Sequence, residues 1–140
     1  MIHQATVQIR TAGRGTYSID LAVRGVLAKS GLVRGVVHLF VQHTSCSLII
    51  TENADPDVRH DLETLAADWA PDGDPRYRHD LEGPDDMAAH ARSVITHSSF
   101  SIPFSEGQML LGTWQGLYLW EHRRTGHLRS LVITVMGDHQ

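Results

Sequence analysis

The final third of the chain consists of short strand-like runs separated by glycines, and this pattern limits the possible folds more than any other feature. Four such runs follow one another, at Ser99–Phe104, Gln108–Gly112, Leu117–His122 and Leu128–Met136. Glycines mark the turns between them, at Gly107, Gly116 and Gly126. The pattern predicts a β-rich end to the chain in which most strands pair antiparallel.

Further strands are predicted upstream. Polar and apolar residues alternate over His3–Arg10 and Thr16–Asp20, which predicts two half-buried strands joined by a hairpin turn at residues 12–15. The runs Gly35–Gln42 and Ser47–Thr51 are rich in Val, Leu and Ile and predict two more.

Three segments predict helices. The first is capped by Asp20 and ends at Gly31, and its inward positions are expected at Leu21, Val23, Val26 and Leu27. The second starts at Asp55-Pro56, ends before Pro71, and carries an apolar stripe at Val58, Leu62, Leu65 and Trp69. The third runs from Asp85-Asp86 to about Thr96, with Met87, Ala91, Val94 and Ile95 inward. The fold class is therefore α+β, as a single domain over residues 1–140.

Composition excludes several classes of protein. One cysteine, Cys46, excludes an internal disulfide framework and a Cys-rich zinc site. Twelve basic against sixteen acidic residues make a nucleic-acid partner unexpected. No apolar run reaches the roughly 20 residues of a membrane span. The first residues resemble no secretory signal, so a cytoplasmic protein is expected.

Ten histidines in 140 residues point to metal or acid–base chemistry. The spacing matches no local motif such as His-Glu-x-x-His, so a metal site has to assemble across the fold or across a subunit interface. The alternative is a set of partly exposed histidines that make ordinary hydrogen bonds. His90 illustrates both interpretations. It points toward the inward side of its helix, as a core histidine would, yet four acidic residues lie near it in the sequence: Asp80, Glu82, Asp85 and Asp86.

Other polar stretches are equally open to two interpretations. The hydroxyls and loop amides around Thr44 and Ser45 either bind a phosphate or carboxylate or simply form a turn. Cys46 is interpreted as a small buried thiol, since no basic neighbour lowers its pKa. Trp114 either lines a pocket or caps the core, and the core is favoured.

Several of these stretches, in this order, resemble one known family. They are His43-Thr44-Ser45-Cys46-Ser47-Leu48, Glu52 to Arg59, His79 to His90, Gly112-Thr113-Trp114-Gln115-Gly116 and Leu119-Trp120-Glu121-His122-Arg123. Together they look like the YjbQ-like family, whose members are also called secondary thiamine-phosphate synthases. Cys46 stands where a small Ala is typical of that family, which argues against a shared cysteine nucleophile.

The resemblance implies a homotrimer with a divalent metal, zinc or, with a diphosphate substrate, magnesium. It also implies an activity that joins an aminopyrimidine diphosphate to a thiazole phosphate and releases pyrophosphate. The expected metal ligands are His43, His79 and His90. The expected catalytic residues are Glu82, Glu121 and His122, and the expected substrate or phosphate ligands are Thr44, Ser45, Asn53 and Arg123. Two other functions stay open: a metal- and metabolite-binding or hydrolytic homotrimer, and a structural protein with scattered histidines.

Overall fold

Eight strands and three helices alternate along the chain much as the sequence predicts. The structure is a computed structural model and describes all 140 residues. The strands are β1 (Ile2–Arg10), β2 (Gly15–Ser18), β3 (Arg34–Val41), β4 (Cys46–Glu52), β5 (Ser99–Ser105), β6 (Gln108–Met109), β7 (Gln115–Glu121) and β8 (Leu128–Asp138). The helices are α1 (Asp20–Ser30), α2 (Pro56–Trp69) and α3 (Asp86–Ile95). The α+β class is confirmed.

The strands form two sheets with the orders β1-β8-β3-β5-β6 and β2-β7-β4. Every pairing is antiparallel, as predicted. The predicted hairpin between the first two strands is wrong, because β1 pairs with β8 and β2 pairs with β7. The chain crosses from one sheet to the other at Gly13, whose φ of +124° disfavours any side chain. A Cβ there would lie 2.5 Å from the carbonyl oxygen of Arg124.

The main core lies between the two sheets. It contains 17 buried residues from both sheets and from α1. Strand β7 shows how the pleat divides its side chains: Leu117 and Leu119 enter this core, while Tyr118 and Trp120 form a second cluster on the opposite face with Ala66 of α2. A regular strand over Leu117–His122 predicts this division, with Leu117 and Leu119 on one face and Tyr118 and Trp120 on the other, and the division is confirmed. The second face is the one next to the candidate site.

Helix α1 differs from the prediction at its start. Ile19 is the N-cap residue, and Asp20 makes no capping hydrogen bond because its carboxylate accepts from the Leu117 amide at 3.0 Å. Leu21 is exposed, whereas Val23 is fully buried. The expected end at Gly31 is confirmed by its left-handed φ of 67°.

Helix α2 begins as predicted, with the Asp55 side chain accepting from the Asp57 amide at 2.9 Å and Pro56 in the first turn. Its apolar stripe is half-buried at Val58 and Leu62 and exposed at Leu65 and Trp69, so the buried residue of the helix is Ala66. None of the three helices is long and apolar enough to cross a membrane.

Helix α3 lies where the sequence predicts it but presents a different face to the protein. Val94 and Ile95 are exposed, and the buried positions include Asp86, Arg92 and Ser93. Each buried polar side chain has a distant partner: Arg92 donates to Glu63 at 2.8 Å, and Ser93 donates to the Cys46 carbonyl at 3.2 Å. The inward face of α3 is therefore polar because it forms part of a site rather than of the apolar core.

Candidate functional site

Three potential metal ligands converge at the start of α3. His79 Nε2 lies 2.6 Å from Asp86 Oδ2, and His90 Nε2 lies 3.2 Å from the same oxygen. The ligand atoms of the three residues all lie within 4.8 Å of one another. Asp86 is buried, His90 is half-buried and His79 is half exposed, so the group opens to solvent on the side of His79.

Helical geometry and one long loop bring these residues together. Asp86 and His90 are four residues apart on α3, so they occupy the same helix face. His79 comes from the loop that connects α2 to α3. That loop is closed at its base, where the Gly73 amide donates to the Pro84 carbonyl at 2.9 Å. The chain thereby folds back to carry His79 over the first turn of α3.

The hydrogen bonds of His90 determine which of its nitrogens faces the cluster as an acceptor. Its Nδ1 lies 2.9 Å from the carbonyl oxygen of Thr44, which can only accept, so Nδ1 carries the proton. In the neutral ring Nε2 then presents a lone pair toward Asp86 Oδ2. Two acceptors at this distance attract each other only if a proton or a metal cation lies between them.

Asp86 is held as a carboxylate. Burial alone would raise its pKa, but the hydrogen bond from His79, the charge of Arg123 and, when its ring is protonated, the charge of His90 keep the pKa of Asp86 below its ordinary value. An ionised Asp86 presents Oδ2 to the two histidines and to any cation between them, because Oδ1 accepts from Arg123 Nη1 at 2.8 Å.

Arg123 is a clamp on the acidic start of α3. Besides Asp86, it donates through Nε to Asp85 Oδ2 at 3.0 Å and through Nη2 to the Glu82 carbonyl at 3.0 Å. These donations raise the pKa of Arg123, the hydrogen bond to Asp85 contributing most. These acceptors occupy the Arg123 guanidinium within one chain and fit a positioning role, while the expected binding of phosphate by Arg123 stays a prediction. The Glu82 side chain is exposed, and this residue contacts the site through its backbone carbonyl.

Glu121 lies between the two sheets and not in the cleft. Its carboxylate accepts from Thr11 Oγ1 at 2.7 Å, from Arg129 Nε at 2.8 Å, from Arg129 Nη2 and from the Arg123 amide at 3.2 Å. Burial would raise the pKa of Glu121, but the Arg129 pair and the other donors hold it low. Glu121 is fully buried within one chain and stabilises the packing of the two sheets, and the catalytic role expected for it stays a prediction.

His122 is also buried, on the face of β7 next to α2 and α3. Its Nε2 lies 2.8 Å from Ser47 Oγ, and its Nδ1 has no hydrogen-bond partner. Burial lowers the pKa of His122 to about 3, and the charges of Arg92, Arg14 and Arg129 act in the same direction. The structure therefore places His122 in the interior of the chain, away from the surface of the cleft, and the catalytic role expected for it stays a prediction.

His43 lies outside the cluster within one chain. Its Nε2 accepts from the Ser130 amide at 2.8 Å, and Arg129 Nη1 lies 3.4 Å from its Nδ1. The predicted grouping of His43 with His79 and His90 is thus corrected to a grouping of Asp86 with those two histidines.

Two adjoining clefts nevertheless connect His43 to the cluster. One, of about 300 Å³, is lined by His43, Thr44, His90, Ser93, Val94 and Ser98. The other, of about 540 Å³, has Ser45 and Arg129 in its wall. The expected phosphate ligands Thr44 and Ser45 therefore do lie beside the site, and Ser45 Oγ accepts from Arg129 Nη2 at 2.9 Å.

Asn53 and Trp114 lie elsewhere. The Asn53 amide donates to the Thr113 carbonyl at 3.3 Å, and it lines a separate cleft of about 420 Å³ with Asp20 and Arg24. Within one chain Asn53 is therefore not part of the site around Asp86. Trp114 is 62% exposed, so the interpretation of its indole as part of the core is wrong.

Sequence reasoning missed two residues of the site. Asp86 was expected near His90 but not as a ligand, although the spacing Asp-x-x-x-His on a helix is a signal for one. Arg129 was not expected at the site at all, although it occupies the same inward register as Leu131 and Ile133 on β8. A charge among apolar inward positions indicates a buried partner.

Comparison with known proteins identifies a family. Residues 5–138 match the model of the UPF0047 protein YjbQ-like family. A UPF0047 protein of Synechocystis sp. is 46% identical over 97% of this chain and 92% of its own length. The UPF0047 protein YjbQ of Escherichia coli O157:H7 is 39% identical over 99% of this chain and 100% of its own length.

Solved structures agree with this. A conserved hypothetical protein from Thermus thermophilus superposes with a TM-score of 0.84 at 33% identity, over 94% of this chain and 99% of that one. An uncharacterised conserved YjbQ/UPF0047 protein from Clostridium acetobutylicum gives a TM-score of 0.86 at 28% identity, over the same shares of the two chains. Sequence and structure together show that the chain belongs to the YjbQ-like UPF0047 family.

Proposed function

We propose that the chain binds one divalent metal ion through His79, Asp86 and His90. The convergence of these three ligand atoms is the observation that carries the proposal. Ligands that bind one zinc ion at roughly 2.0–2.1 Å lie about 3.4 Å from one another, close to the spacing of His90 and Asp86. Two imidazoles and one carboxylate favour zinc over magnesium, which prefers oxygen ligands. Three protein ligands leave a coordination position for a substrate or water, as in catalytic zinc sites.

We further propose that the site serves a transferase, which joins an aminopyrimidine diphosphate to a thiazole phosphate. In that reaction the bond between the pyrimidine methylene carbon and the diphosphate oxygen breaks, pyrophosphate leaves with the electron pair, and the thiazole nitrogen forms the new bond to carbon. A bound divalent cation would neutralise the diphosphate and stabilise the leaving pyrophosphate. The hydroxyls of Thr44 and Ser45 would orient the phosphate groups in the adjoining clefts.

The charges around the site support a metal-assisted reaction. Arg123 is paired with Asp85 and Asp86, and Arg129 is paired with Glu121. Since carboxylates balance the charges of these guanidinium groups, a diphosphate would meet little net positive charge from the protein itself, even where a single guanidinium N–H stays free to donate. A metal cation bound at His79 and His90 would supply the positive charge that the diphosphate needs.

A cytoplasmic homotrimer completes the proposal. Large apolar side chains are exposed on and near α2 and α3, among them Trp69, Leu81, Val94 and Ile95. Exposed apolar residues that adjoin one another, such as Val94 and Ile95 on α3, are typical of an interface between subunits when they form a continuous patch. The site lies beside this surface, so a neighbouring subunit could complete its walls.

The test of the transferase is direct turnover. Tag-free protein loaded with zinc is incubated with the two precursors, and thiamine phosphate and pyrophosphate are measured. Equal amounts of both products are expected from the unaltered protein and from the control His60→Ala, because His60 is exposed on α2. His90→Ala should abolish turnover. Turnover no faster than with zinc alone would reject the transferase.

A second candidate is a metal- and metabolite-binding or hydrolytic protein. The observation that favours it is the position of Glu121 and His122, which are both buried and leave the cluster without a free acid or base from β7. This candidate shares the metal ligands but predicts zinc binding without transfer of the pyrimidine. The same incubation distinguishes the two, because only the transferase forms thiamine phosphate.

A further inference from the structure

We propose that His43 and Arg129 form a binding subsite for one phosphate group, in the cleft next to the proposed metal centre. The identity of the bound group, a phosphate of the substrate, rests on the proposed function. Its geometry rests on hydrogen bonds that do not involve the metal ligands.

Both ring nitrogens of His43 face hydrogen-bond donors. The Ser130 amide lies 2.8 Å from Nε2, and Arg129 Nη1 lies 3.4 Å from Nδ1. A neutral imidazole has one acceptor nitrogen and one N–H, so it can accept from only one of these donors. The shorter contact selects the Ser130 amide, which leaves the proton on Nδ1. The pKa of His43 is lowered, first by burial and then by the charge of Arg129, which keeps the ring neutral.

Two N–H donors consequently point toward each other without an acceptor between them. The other nitrogens of Arg129 are occupied: Nε donates to Glu121, and Nη2 donates to Glu121, to the Ser45 carbonyl and to Ser45 Oγ. Nη1 has only the contact with His43. A donor without an acceptor is costly in a side chain that is only 5% exposed, as that of Arg129 is. An oxygen of an anion placed at Nη1 and His43 Nδ1 would satisfy both donors.

The cleft has the lining and the position expected of a phosphate subsite. It measures about 540 Å³, and the hydroxyl residues Thr44, Ser45 and Ser98 lie in its wall. It shares His43, Thr44 and Ser98 with the smaller cleft that reaches His90. A phosphate at Arg129 would therefore lie along the same groove as the metal centre. Glu121 balances the charge of Arg129, so the subsite should bind phosphate weakly and release it readily.

The experiment is a phosphate titration followed by NMR, with the Arg129 Nε–H resonance as the readout. Inorganic phosphate is added to protein treated with EDTA, and separately to zinc-loaded protein. A saturable shift is expected in the unaltered protein and in the control His60→Ala. In His43→Ala, which is first shown to be folded by cooperative urea unfolding, the apparent Kd should rise about tenfold, as expected for the loss of one hydrogen bond to a charged group.

The outcomes separate this subsite from the metal centre. An unchanged Kd in His43→Ala would overturn the subsite. The subsite would also be overturned if phosphate binding required zinc and were lost in His90→Ala but kept in His43→Ala. That result would be consistent with the proposed metal function. A His43-dependent shift in EDTA-treated protein would support the subsite even if no zinc bound. Tighter binding of acetate than of phosphate would overturn the assignment to phosphate.

Discussion

Replacing His122 with glutamine should remove much of the acid sensitivity of this protein. His122 is fully buried, and its pKa in the folded state is about 3, against an ordinary value of 6.5 in the unfolded chain. Between pH 6.5 and pH 3 the His122 imidazole binds a proton in the unfolded state but not in the folded state. Stability is therefore lost as the pH falls from 6.5 toward 3, and it is fully present above 6.5.

The magnitude follows from the shift. Each pH unit within this window costs about 1.4 kcal/mol, so His122 accounts for about 2 kcal/mol of the stability lost between pH 7 and pH 5. Carboxylates contribute little over this range, because they protonate at lower pH. His43, whose pKa is also lowered, adds to the loss in the same direction.

Urea unfolding at pH 7, 6 and 5 in EDTA measures this loss without a contribution from bound metal. With a slope of roughly 2 kcal/mol per molar urea, the midpoint should fall between pH 7 and pH 5 by about 1 M more in the unaltered protein than in His122→Gln. His60→Gln, a substitution of an exposed histidine, should retain the full pH dependence. An equal fall in His122→Gln and in the unaltered protein would refute the buried, neutral state of His122.

Two other substitutions test the roles assigned to the buried ion pair and to the clamp. Glu121→Gln leaves the Arg129 charge buried without its partner and should lower the free energy of unfolding by about 3–5 kcal/mol. The double variant Glu121→Leu with Arg129→Met replaces both charges with apolar side chains and should lose far less of this free energy. Urea unfolding measures both losses, and equal losses would contradict the ion-pair argument. Arg123→Lys removes the guanidinium that holds the Asp86 carboxylate and should weaken zinc binding about 10–100-fold. Competition with a chelating dye measures the zinc affinity. An unaltered affinity would show that Arg123 does not position Asp86.

The strands and helices were predictable because their signals are local. The alternation of β7 correctly placed Leu119 and Trp120 on opposite faces, and Asp55-Pro56 correctly marked the start of α2. The pairing of β1 with β8 was not predictable from the turn at residues 12–15, since register and partner depend on contacts more than 100 residues apart.

The site was predictable only in part. His79 and His90 were correctly placed together as neighbours, and Asp86 could have been added from its helical spacing. The residues on the inward face of α3 could not be predicted from the apolar pattern of the helix. Arg92 can be buried because it donates hydrogen bonds to Glu63 and to the Ala70 carbonyl, which are distant in the sequence. The burial of Glu121 could not be predicted for the same reason. An acidic residue within a motif indicates a catalytic role, and its partner Arg129 belongs to a strand of the other sheet.

The measurement that tests the central claim most directly is the zinc content of tag-free protein. Elemental analysis should find about one zinc ion per chain in the unaltered protein and in His60→Ala. His79→Ala combined with His90→Ala should contain none, because only the Asp86 carboxylate remains of the three ligands. Zinc retained at about one ion per chain in that double variant, or absent from the unaltered protein after zinc is supplied, would contradict the account.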